Sequence, residues 1–315
     1  MGIHCKNWHG EGESFYEPLG PQRTFLDSLD LDYILALKYG EAVDSSNCMH
    51  LWRQNKVPFV YRGDGDAKAS YSYHFDAHKV GEYFKEVALQ NNVKHIDSEI
   101  HNLVITSGEL QSVELKETGE VITADMWIDC SGFRRVLIEP MGGGWVDYSK
   151  WLPVNKALTY FWPYEADEEI KPQTLAWAMP NGWMWQIPTQ ERYGCGYVYS
   201  DNHTTYDKAV DELMKTLGKD IEPLRNIKFD CGRVETPWVK NVIAIGLAQG
   251  FVEPLEATSI HVTVVQLDFL LTNTLNFSFT KENVMFEANI KKYNTFINTL
   301  VDDVKDLIQL HYMTQ

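Results

Sequence analysis

The chain has 315 residues, of which 44% are hydrophobic and 13% aromatic, enough apolar material for one large domain or two ordinary ones. This composition excludes a largely disordered protein. The formal net charge of −16 argues against nucleic acid and against an anionic membrane surface as partners, because both are bound by clustered Lys and Arg.

The cysteines and the N-terminus indicate a cytoplasmic protein. No two of the five cysteines are spaced as C-x-x-C, which favours buried free thiols in a reducing compartment over disulfides or a zinc site. The first residues, MGIHCKNWHGEGES, lack the charged-then-apolar pattern of a signal peptide. No apolar run reaches the ~18 residues of a membrane span. We therefore expect neither a membrane partner nor a metal ligand set.

The first half of the chain predicts mainly short strands. The first fifty residues are irregular and rich in Gly, Pro and Asp, apart from a helix predicted over Asp30–Gly40. Strands are predicted for VPFVYR and ASYSYHFDA, and a helix over about His78–Gln90. Several short strands follow over residues 93–130, and the last of them runs into Ser131–Gly132.

The second half continues with strands and ends with helices. Strands are predicted for ALTYFW, QTLAWAM, WMWQIP and GCGYVY, and a helix for about Tyr206–Leu217. A buried strand, Val242–Ile245, then enters a glycine turn. Two helices close the chain, over about Glu256–Asn273 and Lys281–Leu310. Early strands followed by late helices predict an α+β fold with a helical cap.

The segment NVIAIGLAQGFVEPLEATSIH is the one most suited to a ligand. Gly246 and Gly250 bracket the turn and let the backbone pass close to a flat or charged group, and Pro254 makes the loop rigid. The N-terminus of the following helix has free N–H groups that bind anions. The segment thus suits a flavin ring beside a small anion. The alternative is an ordinary strand–turn–helix, because the segment is not a G-x-G-x-x-G fingerprint.

Five segments, in order along most of the chain, resemble the flavin-dependent halogenases, often called tryptophan halogenases. They are YHFDA, IDCSGF, GWMWQIP, GLAQGFVEPLEATSIH and DLIQLHY. The resemblance implies a β-rich, flavin-monooxygenase-like module over residues 1–255 and the start of a helical region over 256–315. It also implies that FAD, reduced by a separate flavin reductase, and O2 oxidise a halide such as chloride, which then halogenates an aromatic substrate such as an indole.

The resemblance assigns roles to residues near the glycine turn. Glu256 matches the catalytic glutamate, which stands beside the family's lysine and is suited to accept a proton; the alternative is an acid that only complements the helix dipole. Thr258 and Ser259 match the pair that binds halide through backbone N–H groups.

Further residues match positions that contact FAD. Ser131 and Gly132 would approach its phosphate or adenosine side, although a simple turn explains them equally well. The residues expected to line the flavin are Gly246, Gly250, Phe251, Pro254 and Leu255.

The motif GWMWQIP raises a packing question. Trp183 and Trp185 are two apart on a strand and should lie on the same face, followed by Ile187 and Pro188. They are either a pair of core side chains or, as the resemblance implies, a bulky wall that keeps organic substrate away from the flavin.

The chain also departs from the family pattern. The family lysine precedes a pattern I-x-F-x-N-W, which here begins at Ile3, so the lysine would fall immediately before Met1; Lys6 does not match it. The family's N-terminal nucleotide-binding βαβ unit and its later helices have no counterpart. We therefore expect a central fragment, truncated at both ends, that either is weakly soluble or depends on a complementing N-terminal fragment.

Two departures bear on function. Glu17 and Leu19 stand where members that use tryptophan tend to have His and Phe, which argues against free tryptophan as substrate. Two alternatives to a halogenase remain open at this point. One is an FAD-dependent aromatic monooxygenase, and the other is a non-catalytic remnant or complementing subunit.

Overall fold

The protein forms two compact units that mix α and β structure, as the sequence predicts at the level of fold class. The first unit comprises residues 1–91 and 156–227, and the second comprises 92–155 and 228–315. The predicted division after residue 255 falls inside the second unit and stays a prediction. The structure is a computed structural model that describes residues 2–18, 24–25, 29–30, 54–56, 73–274 and 287–313.

The strands are short and are numbered here in chain order. They are β1 Gly2–Lys6, β2 Ser14–Pro18, β3 Thr24–Phe25, β4 Leu29–Asp30, β5 Ile100–Thr106, β6 Glu109–Leu115, β7 Val121–Thr123, β8 Trp127–Asp129, β9 Trp145–Asp147, β10 Lys156–Pro163, β11 Thr174–Met179, β12 Gly182–Pro188, β13 Arg192–Tyr199, β14 Arg225–Lys228, β15 Gly232–Val234, β16 Trp238–Val239, β17 Val242–Ala244 and β18 Gly250–Phe251.

The α-helices confirm most of the predicted helical segments. They are α1 Ala77–Gln90, α2 Tyr206–Leu217, α3 Thr258–Phe269, which continues as a π-helical turn over Leu270–Thr274, and α4 Glu287–Tyr312. Helix α3 begins two residues later than predicted because Ala257 is left-handed, with φ of +52°. Within the described residues, no helix is both long and apolar enough to cross a bilayer.

Four predictions in the first 77 residues need correction or lie outside the described residues. The first fifty residues are not all irregular, because β1 and β2 belong to the large sheet; the polar His4 and Lys6 hide the buried alternation of Ile3 and Cys5. The predicted strand ASYSYHFDA is not a strand over residues 73–76, which lead into α1. Except for Asp30 at the end of β4, the predicted helix and the segment VPFVYR lie outside the described residues.

A seven-stranded sheet forms the first unit. Its strand order is β14-β10-β13-β12-β11-β1-β2. Strands β1 and β11 run parallel, and the pairs β10–β13, β12–β13, β11–β12 and β1–β2 are antiparallel. One face packs on α2 in a core built from large side chains: Leu158, Tyr160, Met184, Tyr197, Ala209 and Leu213.

The two tryptophans lie together on β12, which confirms that they share a face. Their ring centroids are 5.9 Å apart, and Trp183 is 2% exposed. Across the sheet, Trp185 lies between Ala176 on β11 and Gly196 on β13. A Cβ added at Gly196 would overlap the indole ring of Trp185. Small neighbours thus make the room that a large ring needs.

Three small sheets and two helices form the second unit. The strand orders are β5-β6-β7, β16-β17-β8 and β18-β15-β9. Apolar side chains of β6, β15 and β17 and the turns around them form its core: Leu110, Val113, Leu137, Ile138, Val234, Val242, Ala244 and Ala248. The side chain of Asn241, 2% exposed, joins these strands by hydrogen bonds of 3.0 and 2.8 Å to the backbone N–H and C=O of Leu110.

A bidentate ion pair attaches helix α4 to strand β15. Arg233 of β15 donates to both carboxylate oxygens of Asp302, at 2.9 and 3.0 Å, and the hydroxyl of Tyr148 also donates to Asp302. Burial acts to raise the pKa of Asp302, but these hydrogen bonds outweigh it and lower that pKa. The ion pair fixes one face of α4 against β15.

The contact between Gly196 and Trp185 predicts how substitutions at glycines of β13 affect stability. Gly196→Ala should lower the free energy of unfolding by about 1–3 kcal/mol, because the added methyl displaces the indole ring. Urea unfolding followed by tryptophan fluorescence measures the change.

Gly194→Ala is the matched control, because Gly194 lies two residues away on the same strand face. The nearest atom to an added Cβ there is the Ile187 carbonyl oxygen at 4.0 Å. Its stability should stay within about 0.5 kcal/mol of the parent protein. Equal losses in both variants would show that Trp185 does not occupy the space above Gly196.

Candidate functional site

Two turns lie side by side at the carboxyl ends of neighbouring parallel strands. Strands β8 and β17 pair in parallel, with Asp129 opposite Ala244. The N–H of Ile245 donates to the Asp129 carbonyl oxygen at 3.0 Å, so the pairing extends to the point where the chain turns. In sheets with parallel strands, ligands bind outside the carboxyl ends of the strands. The site predicted from the glycine turn therefore lies where such sites form.

The first turn is organised by the carboxylate of Asp129, which is 1% exposed. It accepts hydrogen bonds from the N–H and hydroxyl of Ser131, at 2.9 and 2.6 Å. It also accepts from the N–H groups of Leu137 and Ile138, at 2.8 and 2.9 Å. The Ser131 hydroxyl also accepts a hydrogen bond from the N–H of Val136, so the Ser131 side chain stabilises the turn itself. A contact of Ser131 and Gly132 with the cofactor stays a prediction.

The second turn, Gly246–Ala248, is held by helix α3. Gly246 has φ of +64°, a conformation that favours glycine, and its N–H donates to the Gln266 side-chain oxygen at 3.1 Å. Gln266 is 0% exposed. The sequence does not single out Gln266, because a glutamine within an apolar helix carries no motif.

The N-terminus of α3 presents backbone donors that the helix itself does not satisfy. The helix starts directly after the left-handed Ala257, whose side chain makes no capping hydrogen bond. The N–H groups of the first turn therefore have no partner within the helix. Thr258 and Ser259, the predicted halide pair, are its first two residues. This is the local geometry that binds an anion.

A cavity joins the glycine turn to this helix N-terminus. Its volume is about 240 Å³, below the ~300–1,000 Å³ of sites that enclose a whole drug-sized ligand, so it suits a ring system or an ion rather than an entire dinucleotide. Five predicted site residues line it together: Gly246, Gly250, Phe251, Thr258 and Ser259. Pro254 and Leu255 are not among the lining residues, and Leu255 is buried.

The first turn meets this cavity through aromatic rings. Phe133, next to Gly132, packs edge-on against Phe251, with ring centroids 5.3 Å apart. Phe229 packs on Phe251 at 5.1 Å. The structure thus brings the predicted IDCSGF and GLAQGF segments together.

Glu256 lies in the loop between β18 and α3 and contacts a histidine of α4. Its carboxylate oxygen is 2.9 Å from Nε2 of His311, and the two side chains are only 10% and 13% exposed. Glu253, in the same loop, is fully buried and accepts a hydrogen bond from the hydroxyl of Tyr312 at 3.0 Å.

The remaining predicted site residues belong to the first unit. Trp183, Trp185, Ile187 and Pro188 all lie on β12, and their role in shielding the flavin stays a prediction. The backbone of Glu17 pairs with Ile3 in the large sheet, whereas Leu19 lies outside the described residues.

Two other residues noted in the sequence are engaged within the first unit. The ammonium of Lys6 lies 3.4 Å from the centroid of the Trp177 ring, and burial lowers its pKa. His74, of the YHFDA segment, contacts the Thr174 hydroxyl at 3.0 Å, and burial lowers its pKa to about 4.

The described cysteines are free thiols, as predicted for the chain. Cys5, Cys195 and Cys231 are buried, whereas Cys130 is exposed, contrary to the expectation that all are buried. Burial raises the pKa of Cys195 and of Cys231 to about 12, so both remain thiols near neutral pH. Among the described residues, no three His, Cys, Asp or Glu side chains are grouped as metal ligands would be.

Comparison with known structures identifies the class of fold. BrvH, a flavin-dependent halogenase from Brevundimonas sp. BAL3, matches with a TM-score of 0.86 at 28% identity, over 99% of this chain and 64% of BrvH. The tryptophan 6-halogenase SttH from Streptomyces toxytricini matches with a TM-score of 0.87 at 28% identity, over 99% of this chain and 64% of SttH. The fold is therefore that of the flavin-dependent halogenases.

The sequence comparison defines the family. The family model for tryptophan halogenases matches residues 1–315, and the chain belongs to that family. Tryptophan 7-halogenase RebH from Lentzea aerocolonigenes is 36% identical over 344 residues, which cover 99% of this chain and 62% of RebH. The chain thus spans less than two thirds of the length of these relatives. The resemblance seen in the motifs is confirmed; the expected lack of an N-terminal nucleotide-binding unit is not.

The bonds to Asp129 predict that its side chain stabilises the second unit. Asp129→Ala should lower the free energy of unfolding by about 2–4 kcal/mol, because it leaves the N–H groups of Leu137 and Ile138 without an acceptor. Thermal and urea unfolding measure this loss. Asp125→Ala, an exposed aspartate just before the same strand, should change stability by less than about 0.5 kcal/mol. A small loss for Asp129→Ala would contradict the assigned bonds.

Proposed function

We propose that this chain provides the flavin and halide sites of a flavin-dependent halogenase. The activity uses reduced FAD, O2 and a halide to halogenate an electron-rich aromatic ring such as an indole. The observation that carries the proposal is a cavity lined by three of the predicted flavin residues, Gly246, Gly250 and Phe251, and by both predicted halide residues. Membership of the tryptophan halogenase family supports it.

The cavity fits a flavin ring in three respects. Its lining is mainly apolar, and Phe251 offers an aromatic side chain. The Gln249 side chain, 1% exposed, also lines it, and among the described residues its amide nitrogen has no hydrogen-bond partner. A buried donor without a partner is costly, so a ligand acceptor atom at this wall would stabilise it. The carbonyl and nitrogen acceptors of a flavin ring are of this kind.

The helix N-terminus fits the halide. Backbone N–H groups supply donors and the helix dipole supplies positive potential, so a monovalent anion is bound without a side-chain charge. Bound reduced FAD would supply the oxygen chemistry that converts this halide into an electrophilic halogen. The residues of the chain would hold the anion at Thr258 and Ser259, next to the flavin site.

Glu256 is proposed as the catalytic carboxylate. When a halogen replaces a ring hydrogen, the ring must lose a proton, and an ionised carboxylate can accept it. Its alternative, an acid that only complements a helix dipole, agrees less well with the structure, since the Glu256 side chain is nine-tenths buried and lies 2.9 Å from Nε2 of His311.

The substrate and partners are proposed at the level of chemical class. RebH is a tryptophan 7-halogenase and SttH a tryptophan 6-halogenase, so we propose an indole ring as the core of the substrate. Glu17 and Leu19 are proposed to face it, in place of the aromatic pair expected for free tryptophan. Trp183 and Trp185, together with Ile187 and Pro188 of the same strand, are proposed to keep the substrate away from the flavin. A flavin reductase would supply reduced FAD in the cytoplasm.

The function is tested by supplying every component. The chain should be incubated with FAD, a flavin reductase with NADH, bromide and indole, and the products analysed by mass spectrometry. We expect a brominated indole, recognised by its isotope doublet, and a loss of about 100-fold or more in Glu256→Gln, the usual effect of removing a general base. The variant should retain FAD, measured by flavin fluorescence.

The other outcomes separate the alternatives. A hydroxylated product without bromine would indicate an aromatic monooxygenase. Neither product nor FAD retention would indicate a non-catalytic chain. Equal bromination by Glu256→Gln would exclude Glu256 as the proton acceptor.

The halide site makes a separate prediction about Ser259. Ser259→Asp should weaken bromide binding at least about tenfold, because as little as ~1.4 kcal/mol of repulsion between the carboxylate and the anion has that effect. The fold should not suffer, because an acid in the first turn of a helix is favourable. Bromide-dependent thermal stabilisation measures the affinity independently of turnover.

Ser259→Asn is the neutral control of nearly the same shape. Its bromide affinity should stay within about threefold of the parent, because the backbone donors are unchanged. If aspartate and asparagine weaken bromide binding equally, the anion does not lie at this helix N-terminus.

A further inference from the structure

Two consecutive residues at the end of α4 hold the two glutamates of the loop before α3. His311 is paired with Glu256 at 2.9 Å, and the Tyr312 hydroxyl donates to Glu253 at 3.0 Å. Both residues belong to the segment DLIQLHY, to which no role has been given so far. The contacts therefore attach the end of α4 to the loop that leads into α3.

The hydrogen bonds of His311 restrict where its protons can lie. Its Nδ1 is 3.0 Å from the carbonyl oxygen of Leu307. A carbonyl oxygen only accepts, so Nδ1 must donate, and Nε2 faces the Glu256 carboxylate. Nε2 then either donates to an ionised carboxylate or accepts from a neutral carboxylic acid. Bonded imidazolium and carboxylate compensate each other's charge in a site that is nearly closed to water.

The same contacts limit the movement of the glutamate. Pro254 and Leu255 separate Glu253 from Glu256, and Leu255 is 3% exposed. The loop is therefore fixed by one buried apolar side chain between two bonded carboxylates. Bonds to the neighbouring His311 and Tyr312, which project in different directions from α4, oppose rotation of the loop as well as its displacement.

We propose that His311 is the positioning residue of Glu256. It holds the carboxylate in its ionised form and in one orientation, through a bond whose other anchor is the backbone of α4. The catalytic meaning of this contact rests on the proposed function, because Glu256 acts on substrate only if the chain is part of a halogenase. The contact itself does not depend on that function.

A nuclear magnetic resonance titration tests the contact without any turnover. The protein is labelled at histidine, and the His311 signal is assigned by its loss in His311→Gln. Among the described contacts, the titratable groups that meet here include Glu253 and Glu256 of the loop and His311 and Tyr312 of α4. We expect the pKa of His311 to fall by about one unit or more in Glu256→Gln, because the ionised carboxylate favours the imidazolium. A change below about 0.3 units would overturn the proposal, being too small for an ion pair.

An activity measurement tests the positioning. In His311→Gln the halogenation kcat should fall about 10- to 100-fold, the range expected when a catalytic group is misplaced, while the Kd for FAD changes less than twofold. A role limited to stability would instead weaken FAD binding and kcat together. Leu310→Ala, an exposed neighbour in the same helical turn, should leave both unchanged.

The two measurements separate the two hypotheses. If the parent chain brominates no substrate but the pKa of His311 depends on Glu256, the proposed function fails and the contact stands. If the parent chain is active and the pKa of His311 is unchanged in Glu256→Gln, the positioning role is excluded and the proposed function stands. Should Glu256→Gln unfold, Glu256→Asp provides the comparison, because the shorter aspartate side chain increases the distance between the carboxylate and Nε2 of His311.

Discussion

The parallel pairing of β8 with β17 is the constraint on which the candidate site depends. It ends both strands at the same edge, so that the turn after Asp129 and the turn after Ala244 lie side by side. The buried carboxylate of Asp129 then fixes the course of the first turn, and Gln266 fixes the second from α3. Loss of the pairing would separate Phe133 from Phe251 and open the wall of the cavity.

The sheet of the first unit depends on a different constraint, in which a large side chain on one strand lies opposite small residues on its neighbours. Trp185 is large, and its cross-strand neighbours Ala176 and Gly196 are the small residues that give its ring room. The rings of Trp183 and Trp185 therefore form one aromatic pair supported by a continuous sheet. A rigid support is what a shielding role requires, although a pair of core residues would need the same support.

Sequence patterns predict the elements well and their contacts poorly. Alternation and helical spacing locate β10–β13, α1 and α2, because those signals are local. The turn around Gly246 and the helix that follows it were also predictable, since both depend on neighbouring residues. Gln266 and His311 were not, because each bonds a group that is distant in sequence. The strand β1 was missed because its polar residues mask a short buried alternation.

Helix α4 shows why such distant contacts matter for the chemistry. Asp302 binds Arg233 of the sheet, and Val301 and Val304, on either side of it, line the cavity. Its last turn bonds Glu256 through His311. A single helix therefore sets the distance between the cavity wall and the carboxylate, which no local motif could do. A general base acts only when held within hydrogen-bonding reach of its proton, so the precision of the site depends on how rigidly α4 is fixed by Arg233.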